Sequence, residues 1–446
     1  MKYLSLSRAI QFAICLSISS SGMVAAQTPN ANGAGNNTGA EAELKFVVII
    51  SRHGVRSPTG KADQLNRYAK RPWPVWSVPP GYLTEHGARL MTLFGAYDRE
   101  KLAAQGLLSS SGCDDAGRIR IIADSDQRTR ETGKALAAGL APGCAVQIQA
   151  LAEGTPDPLF HSFEAGVGVT DKQLAIAAVS GRIGGNPQGL AEAYRAQLQA
   201  LEDVLRGCNG ADCDKETGQT PQSVFDLPSS LGPGKRDHLA ELHSPLGTAA
   251  TMAENLLLEY TEGMDTANVG WGRVDAKKLR ELLQLHTASE DISGRTEYIA
   301  RGQSSNLMFH VLASMVQATN GVSAPGALTR PGDRLLILVG HDTNLANISG
   351  TLHLSWLIDG RMDDTPPGGA LIFEMWKQRD SALYFVRTYY TAQTLDQMRN
   401  ATPLSLAHPP ESAPVFIPGC GQADGSCAWE AFQQTLRSGI DSAFVK

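Results

Sequence analysis

Three short stretches of this 446-residue chain concentrate side chains able to handle a phosphoryl group. Residues 51–59 read Ser-Arg-His-Gly-Val-Arg-Ser-Pro-Thr, 124–130 read Asp-Ser-Asp-Gln-Arg-Thr-Arg, and 340–344 read Gly-His-Asp-Thr-Asn. Guanidinium groups are planar, stay charged at any working pH and can bind two phosphate oxygens at once. Arg52, Arg56 and Arg128 can therefore surround a phosphoryl group and stabilise its transition-state charge. A neutral imidazole nitrogen can attack phosphorus, and His53, between two of those arginines, is the candidate nucleophile. His341 can donate to another oxygen, and Asp342 beside it can protonate a departing alkoxide. Gly54 lets the backbone turn tightly beside the substrate.

Each stretch alone has an ordinary reading: Arg after a strand is usually a solvated loop residue, and His-Asp is often a loop pair or a helix cap. Their shared position argues otherwise. Each follows a short apolar run, at 45–50, 119–123 and 335–339, bounded by polar or turn residues. Continuous runs fit strands covered on both faces, as in a sheet flanked by helices. In an open α/β sheet ligands bind at the carboxyl ends of the strands, so parallel neighbours would bring all three segments to one edge. Runs at 370–376 and 382–388 follow the Pro-Pro-Gly-Gly turn at 366–369 and predict an antiparallel pair near the sheet edge.

Helical patterns separate the strands. Thr84 is placed to cap a helix through Leu90, Leu93 and Phe94, and residues 126–140 continue as an Ala/Leu-rich helix. The stretch 171–300 is mostly helix-prone, as at 191–205 and 246–260, with no convincing strand and a Gly/Pro/Ser interruption at 207–235. The expected fold class is α/β: a central mixed, mostly parallel sheet flanked by helices, with a smaller α-helical insertion domain. The expected divisions are a signal peptide at 1–26, a disordered leader at 27–43, α/β domain at 44–170 and 301–446, and the insertion at 171–300.

Lys2 and Arg8, the short apolar stretch 9–18 and Val24-Ala25-Ala26 carry the signal-peptide reading, and with it a periplasmic or secreted location. Its removal takes two cations and no carboxylate, moving the net charge from −6 to −8. An acidic chain lacks the field that recruits nucleic acid or an anionic membrane. The expected partner is a small-molecule phosphomonoester held by local cations, and the expected state is a monomer. Of seven cysteines, Cys15 leaves with the signal. An even count in an exported chain argues for disulfides, and sequence proximity favours Cys113–Cys144, Cys208–Cys213 and Cys420–Cys427 among fifteen possible pairings.

The stretch from Arg52 to Thr59 resembles the R-H-G-x-R-x-P signature of the histidine acid phosphatases, and His341-Asp342 resembles their distal H-D pair. More narrowly, 340–347 (G-H-D-T-N-L-A-N), 121–130, Trp271-Gly272-Arg273, 365–369 and 402–406 are similar to bacterial periplasmic phytases. The resemblance covers roughly residues 44–440. It implies an α/β domain with a smaller helical domain and an acid phosphatase acting through a phosphohistidine, with phytate as the expected substrate. His53 would be the nucleophile, Asp342 the proton donor, and Arg52, Arg56, Arg128 and His341 the phosphate ligands. Thr59, Lys61, Asp124, Met252, Glu254 and Thr343 are the further candidates for substrate contact.

Two departures bear on substrate preference. Phytases of this kind often carry Lys directly after the Pro-Thr pair, whereas here Gly60 precedes Lys61. They also use a Met and a nearby Glu of the helical domain; Met252 fits, and Glu254 and Asn255 compete for the acidic position. A periplasmic glucose-1-phosphatase or a broad acid phosphatase is the alternative within this chemistry. A non-catalytic inositol-phosphate binder would not need both His53 and Asp342, and a phosphoglycerate-mutase-like activity belongs to another compartment. There is no H-E-x-x-H, no C-x-x-C, no G-x-S-x-G and no P-loop, so neither metal nor cofactor is expected.

Overall fold

Valine and isoleucine dominate 47–50, and in the computed structural model this run lies inside β1 (Ala42–Arg52), buried almost throughout. The structure describes residues 42–60, 62–207 and 221–446. The signal peptide, most of the leader, Lys61, Cys208 and Cys213 lie outside them. Residues 42 and 43, expected in the leader, instead begin β1, where Ala42 and Glu43 pair with Gln378 and Lys377.

The other strands are β2 (Ile119–Ala123), β3 (Ile148–Gln149), β4 (Ser230–Pro233), β5 (Ala240–His243) and β6 (Leu335–Gly340). Then come β7 (Leu357–Ile358), β8 (Arg361–Met362), β9 (Ala370–Gln378), β10 (Tyr384–Ala392), β11 (Glu411–Pro414) and β12 (Ser426–Ala428). The main sheet runs β11-β10-β9-β1-β6-β2-β3, with β12 also on β10. β1, β6, β2 and β3 form its parallel core, and β9 to β12 its antiparallel flank. The mixed sheet with its parallel core, and the antiparallel pair after Pro-Pro-Gly-Gly, are as the sequence predicts.

Alternate residues of β1 feed two cores, which is why the run is apolar throughout. Phe46, Val48 and Ile50 pack with Leu307, Val311, Leu345, Ile348 and Phe432. Val47 and Ile49 pack with Met91, Phe94, Leu136 and Leu140 on the opposite face. There the helices Glu85–Ala104 and Gln127–Leu140 touch backbone to backbone. A Cβ on Gly139 would lie 2.0 Å from the Thr92 carbonyl oxygen, and one on Gly95 2.2 Å from that of Leu136. Thr84 caps the first of these helices, accepting from the Gly87 N–H at 2.9 Å.

In the stretch 171–300, Leu198, Leu201, Leu246, Leu256, Leu279 and Leu282 belong to a third apolar cluster, which also takes in Val55, Leu90, Leu395 and Met398 from outside it. It is not free of strands: β4 and β5 form an antiparallel hairpin. Four-residue strands, one of them Ser-Leu-Gly-Pro, are too short to show a period and contain residues poor in β propensity.

Two disulfides, Cys113–Cys144 and Cys420–Cys427, are formed as sequence proximity suggests. Mass mapping of the non-reduced protein should find both linkages and no free thiol in the mature chain; a stoichiometric thiol would contradict the three-disulfide expectation.

Buried carboxyls make stability depend on pH. Burial pushes Glu259 up to about 8 against the hydrogen bond from the Gly270 N–H, and pushes Asp98 up to about 7 against Lys101. The unfolded chain has already released these protons above about pH 4.5. Their stabilising contribution is therefore complete below that pH and lost as pH rises through about 7 and 8. Denaturant unfolding should give a higher midpoint at pH 5 than at pH 8, and Glu259→Gln should reduce the difference.

Candidate active site

The three chemistry-bearing segments do leave the same edge of the sheet, at the carboxyl ends of β1, β2 and β6. Arg52 pairs with Gly340 in the β1–β6 register, and Ala123 with Val339 in the β2–β6 register. The backbone at His53 is fixed from both sides: its N–H donates to the Gly340 carbonyl and its carbonyl accepts from the Gly368 N–H, each at 2.9 Å. The Gly54 N–H donates to Thr132 Oγ1 at 2.9 Å.

His53 is buried, and its Nδ1 lies 2.8 Å from the Gly54 carbonyl oxygen. A carbonyl can only accept, so Nδ1 carries the proton and Nε2 keeps the free lone pair. Burial, then the charges of Arg128, Arg52, Arg56 and His341, hold this imidazole well below its usual range. The ring therefore stays neutral in mild acid.

Arg52 is wholly buried. Its Nη1 donates to the Thr365 carbonyl at 2.7 Å, and its Nη2 meets both Glu254 and Asp342, the latter at 2.8 Å. Arg56 Nη2 meets the same Glu254 oxygen at 2.9 Å. Arg128, in the first turn of the helix Gln127–Leu140, reaches Asp126 at 2.6 Å and His341 Nδ1 at 3.3 Å.

His341 is the N-cap and Asp342 the first residue of the helix Asp342–Leu352. Asn344 accepts the His341 backbone N–H at 2.9 Å, fixing the turn. The imidazole Nε2 donates to Asp124 Oδ2 at 2.8 Å, and the His53 and His341 ring centroids are 5.6 Å apart. Burial works to raise the Asp342 carboxyl, but Arg52, His286, Arg56 and His341 outweigh it and hold it well below the usual carboxylate range. The helix N-terminus favours the same charge.

Of the other candidates, Asp124 lies at the centre, fully buried against His341. Thr343 lines a small cavity beside it, and Thr59 is exposed on the loop after Pro58. Glu254 is the acidic residue that meets the arginines, rather than Asn255. Met252, two positions earlier on the helix Pro245–Thr261, is fully buried in the helical core and not exposed to the cleft. Two residues along a helix turn side chains about 200° apart, so Met252 and Glu254 face opposite ways.

Four neighbours of this site escaped the sequence reading: His161, Asp237, His286 and Glu290. His286 offers a nitrogen within 4.8 Å of Glu254 and Asp342 oxygens. Burial, with Asp342 adding to it, pushes the Glu290 carboxyl up to about 7. A signal for these two exists, because Leu279, Leu282, Leu283, His286 and Glu290 recur at helical spacing and put two polar residues on an apolar stripe.

Asp124, Asp126, His161 and His341 bring ligand-capable atoms within 4.8 Å of one another, as do Glu254, His286 and Asp342. In both clusters the carboxylates already face guanidinium or imidazole donors, and that positive charge disfavours a divalent cation. An oxyanion suits the arginines far better.

Residues 43–391 match the model of the histidine phosphatase superfamily (branch 2). The chain is 36% identical to phytase AppA of Escherichia coli (strain K12) over 402 residues, covering 89% of this chain and 92% of that one. It is 28% identical to a glucose-1-phosphatase of Providencia rettgeri over 410 residues, covering 90% and 93%. Among solved structures, the Citrobacter braakii phytase superposes with a TM-score of 0.82 at 34% identity, covering 91% of this chain and 99% of that one. The apo form of the Hafnia alvei phytase gives 0.80 at 35%, covering 91% and 98%. The chain, an enzyme of the histidine acid phosphatase kind, belongs to the histidine phosphatase superfamily, branch 2.

Proposed function

We propose that this enzyme hydrolyses phosphomonoesters through a phosphohistidine on His53, with phytate (myo-inositol hexakisphosphate) as its preferred substrate. The observation that carries the reading is the His53 ring: neutral, with Nδ1 tied to Gly54, Nε2 free, and three guanidinium groups around it. In the first step Nε2 attacks phosphorus, the ester P–O bond breaks, and the Asp342 proton passes to the leaving oxygen. In the second, water attacks the phosphohistidine, gives its proton to the Asp342 carboxylate and releases phosphate. Arg52, Arg56, Arg128 and His341 hold the phosphoryl oxygens throughout. Export of the mature chain agrees with the two disulfides among the described residues, where no helix is long and apolar enough to cross a membrane.

Preference for phytate rests on the higher identity to a phytase than to the glucose-1-phosphatase. Glucose 1-phosphate is the second reading, favoured by that relative and by Glu254, whose carboxylate limits how much further negative charge the cleft accepts. Phosphate release from phytate, glucose 1-phosphate and an aryl phosphate, with products resolved, separates them. The highest kcat/KM should fall on phytate; a higher value on glucose 1-phosphate would reverse the preference, and release from none would end the phosphatase reading.

A further inference from the structure

His161 lies in none of the motifs that identify the family, yet it reaches the centre of the site. Its Nε2 meets Asp124 Oδ2 at 3.2 Å, the same oxygen that accepts from His341 Nε2 at 2.8 Å. On the other side its Nδ1 meets Asp237 Oδ2 at 2.6 Å, and the His161 and His341 ring centroids are 5.1 Å apart. A carboxylate on each ring nitrogen requires a proton on both, so this imidazole is held as a cation. Asp237 sits in the turn between β4 and β5, and it is itself fixed: its Oδ1 accepts from the Glu164 N–H at 2.9 Å and its carbonyl from Gln303 at 2.5 Å. The hairpin thus reaches back to a side chain beside the catalytic edge.

We propose that His161 and Asp237 are positioning residues that hold a fixed positive charge against Asp124, so that Asp124 strengthens the hold of His341 on its own proton less than an unshared carboxylate would. His341 then releases that proton at a lower pH than an Asp-paired histidine would. A protonated His341 can donate from Nδ1 to the phosphoryl group, whereas a neutral one with Nε2–H on Asp124 offers at Nδ1 only the lone pair that faces Arg128 Nη2 at 3.3 Å. The pair therefore sets the alkaline limit of the reaction and confines the enzyme to acid.

The charges around His161 agree. Asp124 and Asp237 touch it, Glu164 offers an oxygen within 4.8 Å on its own loop, and Asp157 lies earlier in that loop. Glu164 is engaged by Arg236 at 3.7 Å. His238, Glu290 and Thr343 line the small cavity that His161 shares. Burial disfavours the His161 cation, but Asp124 and Asp237 outweigh it and push the group up to about 10. Burial, with Arg128 and His161 adding to it, holds His341 below its usual range in spite of Asp124.

The test compares His161→Asn, which removes the charge, with His161→Lys, which keeps one. Nitrogen-15 histidine NMR follows the titration of His341 in phosphate-free buffer, and kcat/KM for an aryl phosphate is measured against pH. In His161→Asn the His341 midpoint should rise by about one pH unit, a tenfold gain in proton affinity, and the alkaline limb should move with it. His161→Lys should keep both near wild type. Asp237→Asn, on the hairpin, should shift them the same way by less, and it carries the test if His161→Asn does not fold. An unmoved His341 in the neutral variants, or an equal shift in His161→Lys, overturns the proposal. Only the kinetic half rests on the phosphatase reading; a wild type that releases no phosphate defeats that reading and leaves the NMR result intact.

Discussion

His53→Ala should lose phosphate release by several orders of magnitude while the protein remains folded. The substitution removes the atom that forms the covalent bond, and with it the two-step path; the arginines still bind phosphate but hold it against nothing. Acid-labile phosphate should be trapped on the wild-type protein after rapid quench and be missing from the variant. Because burial and the surrounding cations keep His53 neutral well below its usual range, trapping should persist in mild acid instead of failing near pH 6.5. Near-normal turnover by the alanine protein would remove His53 from the mechanism.

Asp342→Asn should divide substrates by their leaving groups. An inositol or sugar alkoxide leaves poorly unless protonated, whereas an aryl oxide with an acidic conjugate phenol needs no proton. Arg52, His286 and Arg56 outweigh burial and keep the free carboxyl ionised, so the proton must arrive with the substrate. A bound phosphate dianion opposes those cations and restores the affinity of Asp342 for a proton. The Asn variant should therefore slow phytate far more than the aryl phosphate, with phosphate inhibition of similar strength to wild type. Equal losses on both, with phosphoenzyme formation still rate-limiting, would move the proton donor elsewhere. Glu290 is then the next acid at hand, since it keeps its proton to about pH 7.

How much of this was legible beforehand differs by the range of the contact. β1, β2, β6 and β9 announce themselves as apolar runs because both faces of the sheet are covered, whereas β10 is covered more fully on one face than on the other; the segments after β1, β2 and β6 carry the candidate site residues. Their meeting at one edge follows from parallel order alone. The β4–β5 hairpin has no such pattern, since it is short and half exposed. His161 could not be found from its neighbours in sequence: its partners lie 37 and 76 residues away, and only the fold makes it a neighbour of His341. Glu254 was recognisable as a candidate, but its choice over Asn255 depended on which way the helix turned.

The order of the strands also says when the chain can commit to its shape. β1 is among the first residues described, yet its partners on both sides, β6 and β9, do not begin until residues 335 and 370. Throughout synthesis of the intervening stretch, β1 offers two unpaired edges and two apolar faces. Helices, and the pairing of β2 with β3, can form early, but the central pairings close only when the last quarter of the chain arrives. Such non-local closure slows folding and leaves a long interval in which the open strand can join the wrong chain. Production of active protein is therefore governed by how well the first strand is shielded until the last ones emerge.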